Sequence, residues 1–314
     1  MSSLKYDIAE PGRPELLEVS PGVFMYYQPD GTWWINNTGF LTGPQGVISI
    51  DACATRRRTQ AYLNAMATVT AAPVRAVINT HHHGDHTFGN CLFPGAAIIA
   101  HERTRAEAIA FGPPADLPFW DGPQWGELTL DPPFITYTDQ IAVHAGDLRA
   151  EIRHVGMAAH TTNDSIVWIP DRSVLFCGDL IFNGGTPFLL MGSVAGAVQV
   201  LEQVIRPLSA RTIVPGHGPV FEGTEPIEQT LLYLRFIQQT AAAGHRAGLT
   251  PLQAAREAEL GSFAHWPDAE RIVGNLHRAY AELPGAPPDA TVDIIAALAD
   301  MVAYNGGAPL TCLA

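Results

Sequence analysis

His81-His82-His83-Gly84-Asp85-His86 follows directly on an apolar run, Val74-Arg75-Ala76-Val77-Ile78-Asn79-Thr80. The hexapeptide reads H-x-H-x-D-H and crowds imidazoles and a carboxylate into one turn at the end of an expected buried strand. In extended backbone, residues two apart point to the same side, so His81 and His83 can grip one cation. The chain then turns at Gly84, which leaves Asp85 and His86 to reach a second cation nearby. Two metals about 3.5–4 Å apart are the recurring geometry of binuclear hydrolases. The competing reading is a polar loop whose histidines cap strand and helix ends, and the later sequence weighs against it.

Three further segments repeat the pattern of strand, turn and ligand. His160 comes shortly after the strand-like Ala150-Glu151-Ile152-Arg153-His154-Val155. Asp179 ends the apolar run Val174-Leu175-Phe176-Cys177-Gly178. A carboxylate at the end of a buried strand is costly unless something pairs with it, and a dication would do so. His217 stands in Ile213-Val214-Pro215-Gly216-His217-Gly218, again a short apolar strand closed by glycine and histidine. Each alone is compatible with a structural residue; the repetition is the signal.

As an ordered set from about Trp33 to Val220, these motifs resemble the metallo-β-lactamase superfamily. The resemblance implies that His81, His83 and His160 hold one metal and that Asp85, His86 and His217 hold the other, with Asp179 bridging the two. His82 falls at a variable position and is not assigned. Aspartate at the bridging position, where some true lactamases have cysteine, points toward the glyoxalase II, lactonase and thioesterase side of the superfamily. The sequence departs from the pattern at Thr161-Thr162-Asn163-Asp164-Ser165, where many relatives have Thr-x-Gly, so the hydrogen bonds around His160 are not carried over.

Two zinc ions are the implied cofactors, with iron or manganese also compatible with an all nitrogen and oxygen donor set. A hydroxide bridging them would attack an ester, thioester or lactone carbonyl, with Asp85 orienting it and no serine or cysteine nucleophile. Within the superfamily the expectation is the branch resembling cyclase/thioesterases of bacterial aromatic polyketide pathways, acting on a carrier-protein-bound substrate. Three alternatives stand beside it. One is a glyoxalase II-like or lactonase hydrolase of a small-molecule metabolite, another an iron-dependent persulfide dioxygenase, and the third a non-enzymatic binding protein with a relict site.

The chain has 314 residues, 47% of them hydrophobic, enough to bury a sizeable core. Its net charge of -13 argues against a nucleic-acid partner and against the nuclease branch. Lys5 is the lone lysine, so nearly all basic residues are arginine. Cys53, Cys91, Cys177 and Cys312 show no C-x-x-C spacing. Met1-Ser2-Ser3-Leu4-Lys5-Tyr6-Asp7 lacks the apolar core of a signal peptide. No apolar run is long enough to span a bilayer. The expectation is therefore a cytoplasmic protein with reduced thiols and no membrane partner.

Pattern reading gives early strands at Gly22–Tyr27, Trp33–Leu41 and Gly46–Ile50, a helix at Arg56–Thr68 and the strand before the metal turn. Further on it gives a strand at Ala96–Ala100 and a helix at Glu102–Phe111. Strands are expected near Ile135, Ile141, Ile152, Ile166 and Val174, then a helix at Val194–Leu208 and a strand at Thr212–Pro215. This order fits an α/β fold with two sheets between helices, and the resemblance names it an αββα four-layer sandwich over residues 1–222. From 223 to 314 only helices remain, at Pro226–Ala243, Pro251–Leu260, Asp268–Leu283 and Thr291–Tyr304, with Pro284–Pro288 as a breaker. This all-helical C-terminal extension could pack on the core, wall the pocket or mediate a homodimer. Trp33 and Trp34 in an early turn, the aromatic segment Phe111–Phe134 and the run Phe188, Leu190, Met191 are the candidate substrate walls, favouring a sizeable, partly aromatic ligand.

Overall fold

The computed structural model describes residues 12–29, 32–115, 118–284 and 291–314. The expectation for the first seven residues, and all but the first residue of the 284–288 breaker, lie outside that range.

One sheet runs in chain order through β1 (Glu15–Ser20), β2 (Val23–Tyr27), β3 (Thr38–Gly43), β4 (Gly46–Ile50), β5 (Val74–Ile78), β6 (Ala97–His101) and β7 (Ile135–Tyr137). Its first pairs are antiparallel hairpins, and from β4 to β7 the strands are parallel. The second sheet has the order β13-β12-β11-β10-β9-β8. It is built from β8 (Gln140–Ala145), β9 (Leu148–His154), β10 (Ser165–Ile169), β11 (Val174–Phe176), β12 (Thr212–Val214) and β13 (Phe221–Glu222). Only β11 and β12 pair in parallel. Parallel neighbours end at one edge, which is why residues that follow β4, β5, β11 and β12 can meet.

Alternation sorts the side chains into layers. Met25, Leu41, Ile50, Ile78, Ile152, Val167, Val174 and Phe176 fill the space between the sheets. Phe24, Phe40, Val47 and Val77 face the other way, onto Tyr62 and Met66 of α1 (Arg56–Ala67). Helix α1 starts where the Thr55 hydroxyl accepts the Arg58 amide. A four-residue turn of helix, α2 (Gly84–Thr87), carries the metal motif, and α3 (Glu102–Phe111) follows β6.

Behind the second sheet, Ile166, Leu175 and Ile213 pack against α4 (Val194–Val200), a wider π-type turn (Leu201–Ile205) and helices of the C-terminal region. The helix expected at Val194–Leu208 is thus interrupted by that turn before α5 (Arg206–Leu208). The C-terminal helices are α6 (Glu225–Arg246), α7 (Pro251–Glu257), α8 (Arg271–Ala281) and α9 (Ile294–Tyr304). They share one continuous apolar core with the second sheet. The α-β-β-α layering with a helical C-terminal region is therefore present.

One strand reading needs correction, and two strands went unread. The segment expected as a strand from Trp33 enters the sheet only at Thr38; Trp33 and Trp34 form a turn, with Trp34 in the left-handed region at φ 68°. Buried Arg58 holds that turn by donating to the carbonyls of Trp34 and Asn36 and to Asn36 Oδ1. β1 and β13 went unread because an edge strand with half-exposed charged residues and a two-residue strand carry almost no period-2 signal. Among the described residues no helix is long and apolar enough to cross a membrane.

Candidate metal centre

All seven expected ligands converge at the shared edge of the two sheets. His81, His83 and Asp85 to His86 follow β5; His160 lies between β9 and β10; Asp179 follows β11; His217 follows β12. They form two groups, His81, His83, His160 with Asp179, and Asp85, His86, His217 with Asp179. Within each group one ligand atom from every residue lies within 4.8 Å of the others. Donors about 2.1 Å from a shared ion stand roughly 3–4 Å apart, and the observed spacings agree. His160 Nε2 is 2.8 Å from His83 Nδ1 and 3.3 Å from Asp179 Oδ2. His217 Nε2 is 3.2 Å from Asp179 Oδ2 and 3.3 Å from Asp85 Oδ2.

The chemistry of the donor set fits metal. Among the described residues His81 Nε2, His86 Nε2 and Asp179 Oδ1 are buried without a hydrogen-bond partner. His86 Nε2 stands 3.0 Å from Asp179 Oδ1, yet the pair lacks hydrogen-bond geometry. Buried polar atoms are normally satisfied, so this cluster of orphans marks a place for a cation. Burial, then the neighbouring histidine His86, pushes His81 well below the ordinary imidazole range, and burial with His160 does the same to His83. Both are thus held as neutral lone-pair donors. Burial raises Asp179, but His217, His86 and His160 outweigh it and keep the carboxyl well below its usual range. Asp85 is lowered the same way by His86 and His217 against its own burial. Against their burial, the same carboxylates raise His86 and His217 above the ordinary imidazole range, so these rings supply positive charge that a bound cation would replace.

Outer contacts orient the rings. The Asp51 carboxylate accepts the Thr80 amide at 2.8 Å, the Thr80 hydroxyl at 2.8 Å and the Nδ1–H of His86 at 2.8 Å. Thr80 Oγ1 in turn stands 3.0 Å from His81 Nδ1. One carboxylate therefore fixes a histidine of each group, leaving Nε2 of both rings bare. Asp51 adopts φ 60°, a conformation costing a non-glycine residue about 1–3 kcal/mol and typical of functional sites. His160 donates from Nδ1 to the Phe188 carbonyl at 2.5 Å. The departure at Asn163-Asp164 is filled by a local network in which Asp164 accepts the Thr161 amide and hydroxyl. His82 is buried and belongs to neither donor group, although its ring centroid lies 4.7 Å from that of His83; its Nδ1 stands 3.0 Å from Asn163 Nδ2. Asn37 pins the His217 turn by donating to the Pro215 and Gly218 carbonyls. Gly216 is glycine because a Cβ there would collide with the Asp179 carboxylate.

Sequence reading missed Asp51, Asn37 and the residues of α8. Asp51 carried a usable signal, since Val47-Ile48-Ser49-Ile50-Asp51 is another apolar strand ending in an acid. The others act through long-range contacts that no local pattern announces.

The donor groups form the floor of a cavity of about 300 Å³. Trp33, Trp34, Phe188, Leu190 and Met191 line it as expected, joined by Trp120 and Trp125 from the long loop and by Ile294, Ile295 and Leu298 of α9. Trp34 meets Trp120 and Trp125 edge-on, with ring centroids 5.2 and 4.9 Å away.

The family model described as "Metallo-beta-lactamase superfamily" matches residues 31–217. Hydroxyacylglutathione hydrolase of Rhodospirillum rubrum is 32% identical over 139 residues, which are 44% of this chain and 45% of that protein. Acyl-coenzyme A thioesterase MBLAC2 of Homo sapiens is 23% identical over 228 residues, 61% of this chain and 80% of that one. The chain thus spans about half the length of the first of these relatives. The solved metallo-beta-lactamase from Pontibacter korlensis superposes with a TM-score of 0.59 over 71% of this chain and 99% of that one, at 18% identity. That likeness concerns the fold.

Proposed function

The chain belongs to the metallo-beta-lactamase superfamily, and from that premise we propose that it is a metal-dependent hydrolase of an ester, thioester or lactone. The observation that carries the reading is the pair of donor groups sharing Asp179 at the floor of an apolar cavity. His81, His83 and His160 would hold one ion and Asp85, His86 and His217 the other, with Asp179 common to both. The nitrogen and oxygen donors suit zinc best, and iron or manganese fit the same set. When bound, the ions supply an activated water and positive charge for the carbonyl oxygen.

The protein's own residues do the rest. Asp85 lines the cavity and is ionised, so it can accept a proton from the attacking water. Asp51 and the Phe188 carbonyl hold the histidine rings in place, so little reorganisation is needed during turnover. The apolar walls keep bulk water from the acyl group. A thioester substrate is supported by the thioesterase and hydroxyacylglutathione hydrolase relatives. The finer reading is a carrier-bound aromatic polyketide that is hydrolysed and also cyclised, and the aromatic cavity walls support it.

The test is metal analysis of the purified protein beside kcat/KM for thioester, lactone, β-lactam and phosphodiester substrates. About two zinc per chain with thioester or lactone turnover is expected. Preferential phosphodiester cleavage, or full activity in metal-free protein, overturns the reading. One iron per chain with oxygen uptake favours the persulfide dioxygenase alternative. Asp179→Ala is expected to lower the occupancy of both ions and cut kcat/KM by about 10³-fold or more.

A further inference from the structure

We propose, resting on that hydrolase reading, that the cavity is an acyl chamber for a neutral, ring-bearing acyl group and that the C-terminal helices set its selectivity. The thiol or alcohol half of the substrate then stays outside.

The walls decide what can enter. From the floor of His83, Asp85, His160, Asp179 and His217 upward, the lining is aromatic and aliphatic apart from one guanidinium. That cation, Arg271, is buried and already engaged. It donates to the Thr186 carbonyl at 2.9 Å, pairs with Asp268 at 2.8 Å and lies over the faces of Trp33 and Phe182, 4.2 and 5.2 Å from their centroids. A peptide-like or phosphorylated thiol carries carboxylates or phosphates, and among the described residues no other Lys or Arg lines the chamber to receive them. A flat ring, by contrast, finds Trp120 and Trp125 each set edge-on to Trp34 and Phe188 set edge-on to Trp33, surfaces suited to stacked and T-shaped contacts.

The outer wall belongs to the C-terminal region. Leu298 of α9 is buried at the chamber, while Ile294 and Ile295 are exposed at its edge, by 37% and 60%. Helix α8 fixes the inner wall, since Glu270 just before it accepts the Trp33 indole N–H at 2.7 Å and Arg271 stacks on the same ring. The chamber depends on these helices, whereas the donor groups come from the sandwich.

The experiment separates binding from turnover. Zinc-loaded protein is titrated with 2-naphthamide, a neutral probe that is not a thioester, and with lactamide, with calorimetry as readout. Naphthamide is expected to bind on the order of 10- to 100-fold more tightly, as burial of a bicyclic ring dictates. Leu298→Trp, which fills the chamber, is expected to weaken naphthamide about 10-fold. Circular dichroism checks its fold, and Ile294→Trp at the exposed edge serves if Leu298→Trp does not fold. In turnover, naphthoyl-N-acetylcysteamine should exceed lactoyl-N-acetylcysteamine in kcat/KM by a similar factor, whereas exchanging the thiol for glutathione should change it by less than about threefold. Equal binding of the two amides, or naphthamide affinity untouched by a folded wall variant, overturns the chamber. Naphthamide binding without hydrolysis of any thioester or lactone overturns the hydrolase reading and leaves the chamber standing.

Discussion

Asp51 shows how much a single side chain can organise. It directly holds His86 and, through the Thr80 hydroxyl, His81, so each donor group contains a histidine aligned by the same carboxylate. Asp51→Asn keeps the size but loses the charge and one acceptor, and zinc affinity is expected to fall about 10- to 100-fold, measured by chelator competition. Unchanged affinity would show that Thr80 and packing suffice. His101 makes a separate case, remote from the metal ligands. Its Nδ1 accepts the Arg103 amide at the start of α3 and its Nε2 donates to the Thr138 carbonyl, a pattern that requires the neutral ring. Burial, then the stacked His154 ring and Arg103, outweigh the Thr138 carbonyl and Glu102 and lower its affinity for a proton below the ordinary range. As pH falls past about 6.5, the unfolded chain takes up this proton before the folded chain does, so stability drops toward acid. His101→Gln, which takes up no proton and keeps an N–H donor for the Thr138 carbonyl, is expected to flatten that decline between pH 7 and 5 in chemical denaturation. An unchanged slope would assign the acid sensitivity to other groups. The convergence of the donor residues was legible at this scale because chemistry-bearing residues stand at strand ends in short motifs. Asn37 and Arg58 were not, since their importance lies in carbonyls distant in sequence.

Helix α8 is the element whose role sequence patterning least foretold. Its amphipathic spacing announces a packed helix and nothing more. In the fold, Arg271, Asn275 and Arg278 occupy one face at helical spacing and grip the segment 186–190 by its backbone. Asn275 is fully buried, receives the Leu189 amide at 2.8 Å and donates to the Pro187 carbonyl at 2.8 Å. Between those two lies Phe188, whose carbonyl accepts from His160. Asn275→Ala is expected to cost about 1–3 kcal/mol of stability and to weaken zinc binding through His160. Thermal denaturation and chelator competition read the two effects separately. A lowered Tm with unaltered zinc affinity would mean that the segment is merely packed there. Most strands and helices were legible from periodicity, and their ends shifted by a few residues. The exceptions follow from physics: Trp33 to Asn37 has strand-like composition, but buried Arg58 captures its carbonyls for a turn. The turn inside Val194–Leu208 leaves no trace in composition.

At the scale of the whole molecule, the same apolar cluster unites the second sheet with α4, α6, α7, α8 and α9. A chain ending at Gly223 would uncover Leu175, Val200, Leu201 and Ile205 to water, and a patch of that kind favours association over folding. Such a truncation is expected to be insoluble or to lack a cooperative thermal transition. A soluble, cooperatively melting 1–223 fragment would show that the sandwich needs no covering. The layered architecture and the position of the helical region were visible in the order of elements. That the region reaches the cavity was not, because sequence order says nothing of which helix crosses a sheet edge. This arrangement has an evolutionary corollary. The donor groups are drawn from strand termini of the sandwich, while part of the cavity wall comes from a stretch downstream, so the two can drift under different selection. Exchanging the terminal helices between paralogues would reshape one wall of the cavity while leaving the donor residues untouched.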